Sequence, residues 1–259
     1  MPDDPHDDAA PIRISTLRRV LGWSVHAYTA LGLVLAAGIA VLVVQGGERA
    51  FQQAFLLMLA ACLVDATDGT LARLVRIKET VPEFDGTRLD DIIDFQTYTS
   101  LPLLLIWRAG VLPDGWNWCL LAPLIASAYG FCQTSAKTGD GFFLGFPSYW
   151  NLVALYLYYL QLPAAAAVAL LLFFAAMTFV PLRYLYPSMR GRLNVISCML
   201  AVPWVGLLVY ALSIEVTHAD DRAHLRQLLL ASLYYPSFYL LASWRINLRL
   251  WTQRPRISG

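Results

Sequence analysis

Four carboxylates stand at spacings that can do chemistry. Asp65 and Asp68 are three residues apart and follow the apolar run 54–64, whereas Asp90 and Asp94 are four apart and precede the apolar run 98–107. Those spacings put each pair on one face of its helix. Asp91, one step from Asp90, points elsewhere. Joined as a hairpin, the two helices bring four acids together near a membrane surface. A charged side chain deep in a bilayer costs roughly 2.5–3.5 kcal/mol, and clustered acids repel unless a cation sits between them. An all-oxygen ligand set predicts hard divalent ions, Mg²⁺ or Mn²⁺, and two of them for four acids. Acids that merely cap helix ends would explain any one of these residues, but not the set with Gly69, Ala72, Arg73 and Gly86 beside it.

The elements that must position these acids are membrane helices. Of the 259 residues, 58% are hydrophobic and 14% charged, which predicts a polytopic, all-α integral membrane protein and excludes a soluble domain. A net charge of +1 gives no reason to expect a nucleic acid partner. Eight apolar segments are predicted transmembrane helices, at roughly 20–44, 51–73, 90–109, 116–135, 148–162, 164–184, 194–214 and 225–245. The fifth is short and has room to extend backward through 142–147. Residues 1–14 read as a disordered cytoplasmic tail, 15–249 as a single transmembrane catalytic domain, and 250–259 as a second cytoplasmic tail. The acidic amino terminus argues against a cleavable signal peptide. Cys62, Cys119, Cys132 and Cys198 lack metal-type spacing and read as small core residues. With both termini inside, fifteen of the 19 Lys and Arg residues fall on the cytoplasmic side, along with the acidic hairpin.

The run Asp65-x2-Asp68-Gly69-x2-Ala72-Arg73, followed by Gly86-x3-Asp90-x3-Asp94, resembles the signature of the CDP-alcohol phosphotransferase family, and all eight named positions match. The gap, residues 74–85, is longer than the family's usual length of about eight or nine. A longer gap is typical of the family's bacterial phosphatidylcholine synthase branch. The stretches VHAYTALG, KETVPEFDGTRLD, AKT with GFPSYWN, and TFVPLRYLYP are similar to the same branch and spread the resemblance over about residues 24–190.

The resemblance implies a CDP-alcohol phosphotransferase-like core in the bacterial inner membrane, often paired as a homodimer. It implies transfer of a phosphatidyl group from CDP-diacylglycerol to choline, with release of CMP. Asp65, Asp68 and Asp90 would hold metal, and Asp94 would be the catalytic base and a further ligand. Thr29, Gly69, Ala72, Arg73 and Gly86 would bind CDP-diacylglycerol, with His26 a weaker candidate. Gly69 and Ala72 leave room for a flat pyrimidine, and Arg73 offers a fork to the diphosphate. The other charges of the 74–86 loop read mostly as solvated surface.

Choline's quaternary ammonium has no N–H, so aromatic faces must select it. Residues 135–151 pass from a charged, glycine-rich loop into aromatics. Tyr149, Trp150, Tyr129 and Tyr98 are the candidate rings, with Lys137, Asp140, Glu83 and Asp85 as charges around the acceptor. An interfacial aromatic belt would give the same composition. Two alternatives stay open. One is a different acceptor, such as serine, inositol or a phosphorylated alcohol. The other is an ion-coupled transporter, although acids at helix ends rather than at midplane argue against it.

Overall fold

The computed structural model describes residues 15–134, 142–185 and 192–252. The expected tail 1–14, most of the tail 250–259, and the acceptor candidates Lys137 and Asp140 lie outside the described residues.

Helix α1 (Thr16–Gln45) begins where the Ser15 side chain accepts the Arg18 N–H. Its buried residues, among them Gly22, Val25, Thr29, Gly32, Ala36, Ile39 and Val43, recur every three or four positions and form one stripe. Val34, Val41 and Val44 lie on the opposite, exposed side, as expected of a surface facing lipid. Gly46 and Gly47, both at positive φ, turn the chain into α2 (Glu48–Leu74), which packs along α1. A short turn, α3 (Ile77–Thr80), leads to α4 (Gly86–Asp94). A π-helical turn, Phe95–Ser100, joins α4 to α5 (Leu101–Arg108). Close packing sets α4 against α1, for a Cβ at Gly32 would fall 2.5 Å from Ile93 Cγ2.

The remaining helices are α6 (Leu121–Cys132), α7 (Trp150–Leu160), α8 (Ala164–Phe179), α9 (Arg192–Ser213), α10 (Ala219–Ser232) and α11 (Tyr234–Thr252). Among the described residues, α1, α2 and α9 are long and apolar enough to cross a membrane, and Asn117–Cys132 and Ala164–Phe179 are shorter apolar helices. The protein is an all-α membrane protein.

Three segments depart from the sequence expectation. The fifth does not extend backward as helix; Phe142–Leu144 forms strand β1, paired antiparallel with β2 (Arg183–Leu185) so that Phe143 faces Tyr184. Gly145 follows at φ +84, and a Cβ there would come within 2.3 Å of the Thr178 carbonyl oxygen. Only glycine lets the chain pass the end of α8 so closely. The sixth segment stops being helical at Phe179, because Pro181 drives Val180 into the extended region. The eighth is two helices, broken at Leu233. Pro236 has no N–H to return to the carbonyl of Ser232, and it falls in the first turn of α11, where that N–H has no partner to lose.

Phe55 and Met58 of α2, Leu105 and Ile106 of α5, Trp150 and Leu155 of α7, and Leu171 of α8 form the centre of the core. Polar ties reinforce it. The Gln52 amide donates to the carbonyls of Leu212 and Ile214 at 2.9 and 2.6 Å. Asn247 pairs with both main-chain groups of Arg183, and the Tyr239 hydroxyl donates to the Leu185 carbonyl. Where no water reaches, each buried polar atom needs such a partner.

Candidate active site between α1, α2 and α4

α2 carries Asp65 and Asp68 one turn apart near its end, and α4 brings Asp90 to meet them. One carboxylate oxygen from each of the three lies within 4.8 Å of the others. Asp68 is buried and the other two half-buried. Three acids this close fit a hard divalent cation: the donors are all carboxylate oxygens, the ligands Mg²⁺ and Mn²⁺ prefer. Asp94, one turn further along α4, is not a member of this group.

Beside the acids is a pocket of about 380 Å³, lined by Thr29 of α1, Asp68, Gly69, Ala72 and Arg73 of α2, and Gly86 and Asp90 of α4. The structure thus gathers Thr29, Gly69, Ala72, Arg73 and Gly86 around one space, with His26 among its walls. The two glycines serve different ends. A Cβ at Gly69 would meet only Arg73 Nη1, at 3.5 Å, so this stretch of helix is open to whatever fills the pocket. A Cβ at Gly86 would lie 2.6 Å from His26 Cε1, so the missing side chain is what lets α1 and α4 close. Arg73 is exposed, with Nη2 resting on Thr70 Oγ1 at 3.0 Å, a contact it can leave for an anion.

The long gap 74–85 is a folded strap. The Thr80 hydroxyl donates to the carbonyls of Val75 and Arg76 and so closes the end of α2. Phe84 lies over the buried His26 ring, with centroids 4.4 Å apart, and beside Trp23 at 5.3 Å. Arg19 pairs with Glu83. A backbone N–H, and then this guanidinium, hold the Glu83 carboxyl below the usual range. Asp85 caps α4 by accepting the Arg88 N–H at 3.2 Å and pairs with the Arg88 side chain. Glu83 and Asp85 are thus exposed surface charges, as expected of this loop, and each has an ion-pair partner.

The aromatic candidates separate. The Tyr98 hydroxyl donates to Asp65 Oδ2 at 2.8 Å. The Tyr98 ring is 6.2 Å from that of Tyr149, which is 5.9 Å from Tyr239. Trp150, in contrast, is fully buried; its ring N–H donates to Ser127 Oγ at 2.7 Å and its ring packs on Phe146. Tyr129 is exposed beside Phe179. Sequence reasoning missed Tyr239, which gives no local signal, and Phe84, whose signal was that it is the one aromatic in the 74–85 stretch.

Apolar helices around a pocket of carboxylates, a guanidinium and bare helix backbone define a membrane-embedded enzyme of the phosphotransferase class. No protein-family model matches the chain. Individual proteins do. The chain is 36% identical over 241 residues to a phosphatidylcholine synthase of Pseudomonas aeruginosa, covering 91% of this chain and 98% of that one. It is 40% identical over 159 residues to one of Legionella bozemanae, covering 61% and 73%. It is 33% identical over 194 residues to one of Rhizobium meliloti, covering 74% and 79%. The chain belongs to the phosphatidylcholine synthase family.

Proposed function

We propose that this protein transfers the phosphatidyl group of CDP-diacylglycerol to choline, giving phosphatidylcholine and CMP. The observation that carries the reading is the meeting of Asp65, Asp68 and Asp90 beside a pocket lined by Thr29, Gly69, Ala72, Arg73 and Gly86. Family membership supports choline as the acceptor. The excess of Lys and Arg on one side of the apolar segments supports an inner-membrane protein with both termini and the site cytoplasmic. Pairing of two copies rests on the family resemblance alone.

In this reading the pyrimidine lies against the open backbone at Gly69 and Ala72, near Thr29, and Arg73 takes the diphosphate. Asp65, Asp68 and Asp90 would hold Mg²⁺ or Mn²⁺, one ion or two, with Asp94 able to join as a ligand. Bound there, divalent ions would offset the diphosphate charge and stabilise the CMP leaving group. Asp94 takes the proton from choline's hydroxyl. The freed oxygen bonds to the phosphorus that carries the diacylglycerol, and the bond from that phosphorus to the CMP oxygen breaks. Tyr149, whose ring lies between those of Tyr98 and Tyr239, is the candidate ring for holding the ammonium.

The test is CMP release from CDP-diacylglycerol by the purified protein in detergent, with each alcohol in turn. Release with choline and not with serine or inositol is expected; turnover with serine but not choline would overturn the acceptor. Two variants sharpen the reading. Arg73→Lys keeps the charge but loses the fork, and should raise the KM for CDP-diacylglycerol about tenfold. Normal kinetics would reduce Arg73 to a topological anchor. Tyr149→Leu should raise the KM for choline about 2- to 30-fold, one cation–π contact's worth, with that for CDP-diacylglycerol little changed. Trp150→Leu should instead lower the melting temperature, because it empties a filled core site and strands Ser127. If Trp150→Leu selectively weakens choline use while Tyr149→Leu does not, the cage includes Trp150 and not Tyr149.

A further inference from the structure

The helix that carries Asp90 and Asp94 does not go on as an α-helix. Over Phe95–Ser100 it closes π-type bonds. Such a turn adds about one residue to the helix and rotates all that follows. It comes directly after Asp94, the last residue of the signature. The Thr97 hydroxyl donates to the carbonyl of Ile93, inside the last turn of α4. The next residue, Tyr98, is buried, and its hydroxyl crosses to α2, where it donates to Asp65 Oδ2 at 2.8 Å. The π turn thus ties the second half of the signature to Asp65 of the first, through a donor that lies outside the motif.

We propose that Tyr98 is a positioning residue for the metal site, and that the π turn is the device that brings it there. This rests on the reading of Asp65, Asp68 and Asp90 as ligands of a divalent ion. A carboxylate on a helix rotates about two side-chain bonds. A donor fixed on one oxygen stops that rotation and sets the direction in which the carboxylate faces a cation. The choice of donor is also informative. Lys or Arg at this point would neutralise Asp65 and repel the incoming ion. A phenol is neutral, holds the carboxylate, and draws off part of its negative charge while the three acids still face one another. Partners of this kind, one bond removed from a metal, orient the ligand and tune its affinity.

Tyr98 was also an acceptor candidate, and its ring lies near Tyr149. The two roles separate in Tyr98→Phe, which keeps the ring and removes only the donor. The readout is Mn²⁺ binding to the purified protein in detergent, without substrates, followed by electron paramagnetic resonance of the free ion. Tyr98→Phe should raise the Mn²⁺ Kd about 10- to 100-fold, while the metal-free melting temperature and the KM for choline stay close to the parent's. A Kd equal to the parent's would overturn the inference and leave the metal reading intact. A parent that binds no Mn²⁺ would overturn both. A higher choline KM with unchanged Mn²⁺ affinity would return Tyr98 to the acceptor pocket.

Discussion

Asp90→Asn is expected to lose turnover and metal together, whereas Asp94→Asn should lose turnover alone. Asp90 is one of three carboxylates within 4.8 Å of one another, supplied from a different helix than the other two. An amide there keeps shape and volume but removes the charge that draws a cation to the site. Turnover should fall below about one-hundredth of the parent rate, with Mn²⁺ affinity falling in step. Asp94 stands one turn away from that group. Its replacement removes the proton acceptor, and loss of a general base typically costs about 10²–10⁴ in rate. Rates measured beside Mn²⁺ titrations of each variant separate the two roles. Near-normal turnover by a folded Asp90→Asn protein would end the metal-site reading. Loss of Mn²⁺ binding in Asp94→Asn would make Asp94 a ligand before it is a base.

Exhaustive chelation should abolish activity, and Mg²⁺ or Mn²⁺ should restore it. The diphosphate of the substrate and the three acids are all negative, and of the signature's eight named positions only Arg73 is cationic, with Arg76 and Lys78 also lining the pocket. Without an added cation, substrate binding would set like charges against one another in a half-buried site, where screening by solvent is weak. The loss should therefore appear in the affinity for CDP-diacylglycerol as well as in the rate. Full activity after chelation would show that the acids serve packing or capping only.

The candidate site was legible because its signal is local. Spacings of three and four on helices fix which side chains share a face. Small residues at Gly69, Ala72 and Gly86 mark where backbone must be approached, by ligand at Gly69 and by His26 at Gly86. The π turn was not legible, since no residue type in Phe95–Ser100 requires it. The burial of Trp150 was not legible for a different reason. In a chain whose outer surface is also apolar, composition does not separate a side chain that faces the core from one that faces a ligand or lipid. The break at Leu233 was not expected, because Pro236 reads equally as a kink that a membrane helix accommodates. The strands β1 and β2 are three residues each, too short to show a period.

Gln52 reaches carbonyls 160 and 162 residues further along the chain. At synthesis rates of about 5–20 residues per second, the ribosome needs about 8–30 s to make that intervening stretch. Both halves of the signature are in the nascent chain long before α9 exists. α2 thus enters its hairpin with α1 early, but its Gln52 amide waits for the end of α9 to emerge. The acids are placed first and clamped last. A chain halted before residue 212 would carry every residue of the signature yet lack the latch that holds α2 in register beneath it.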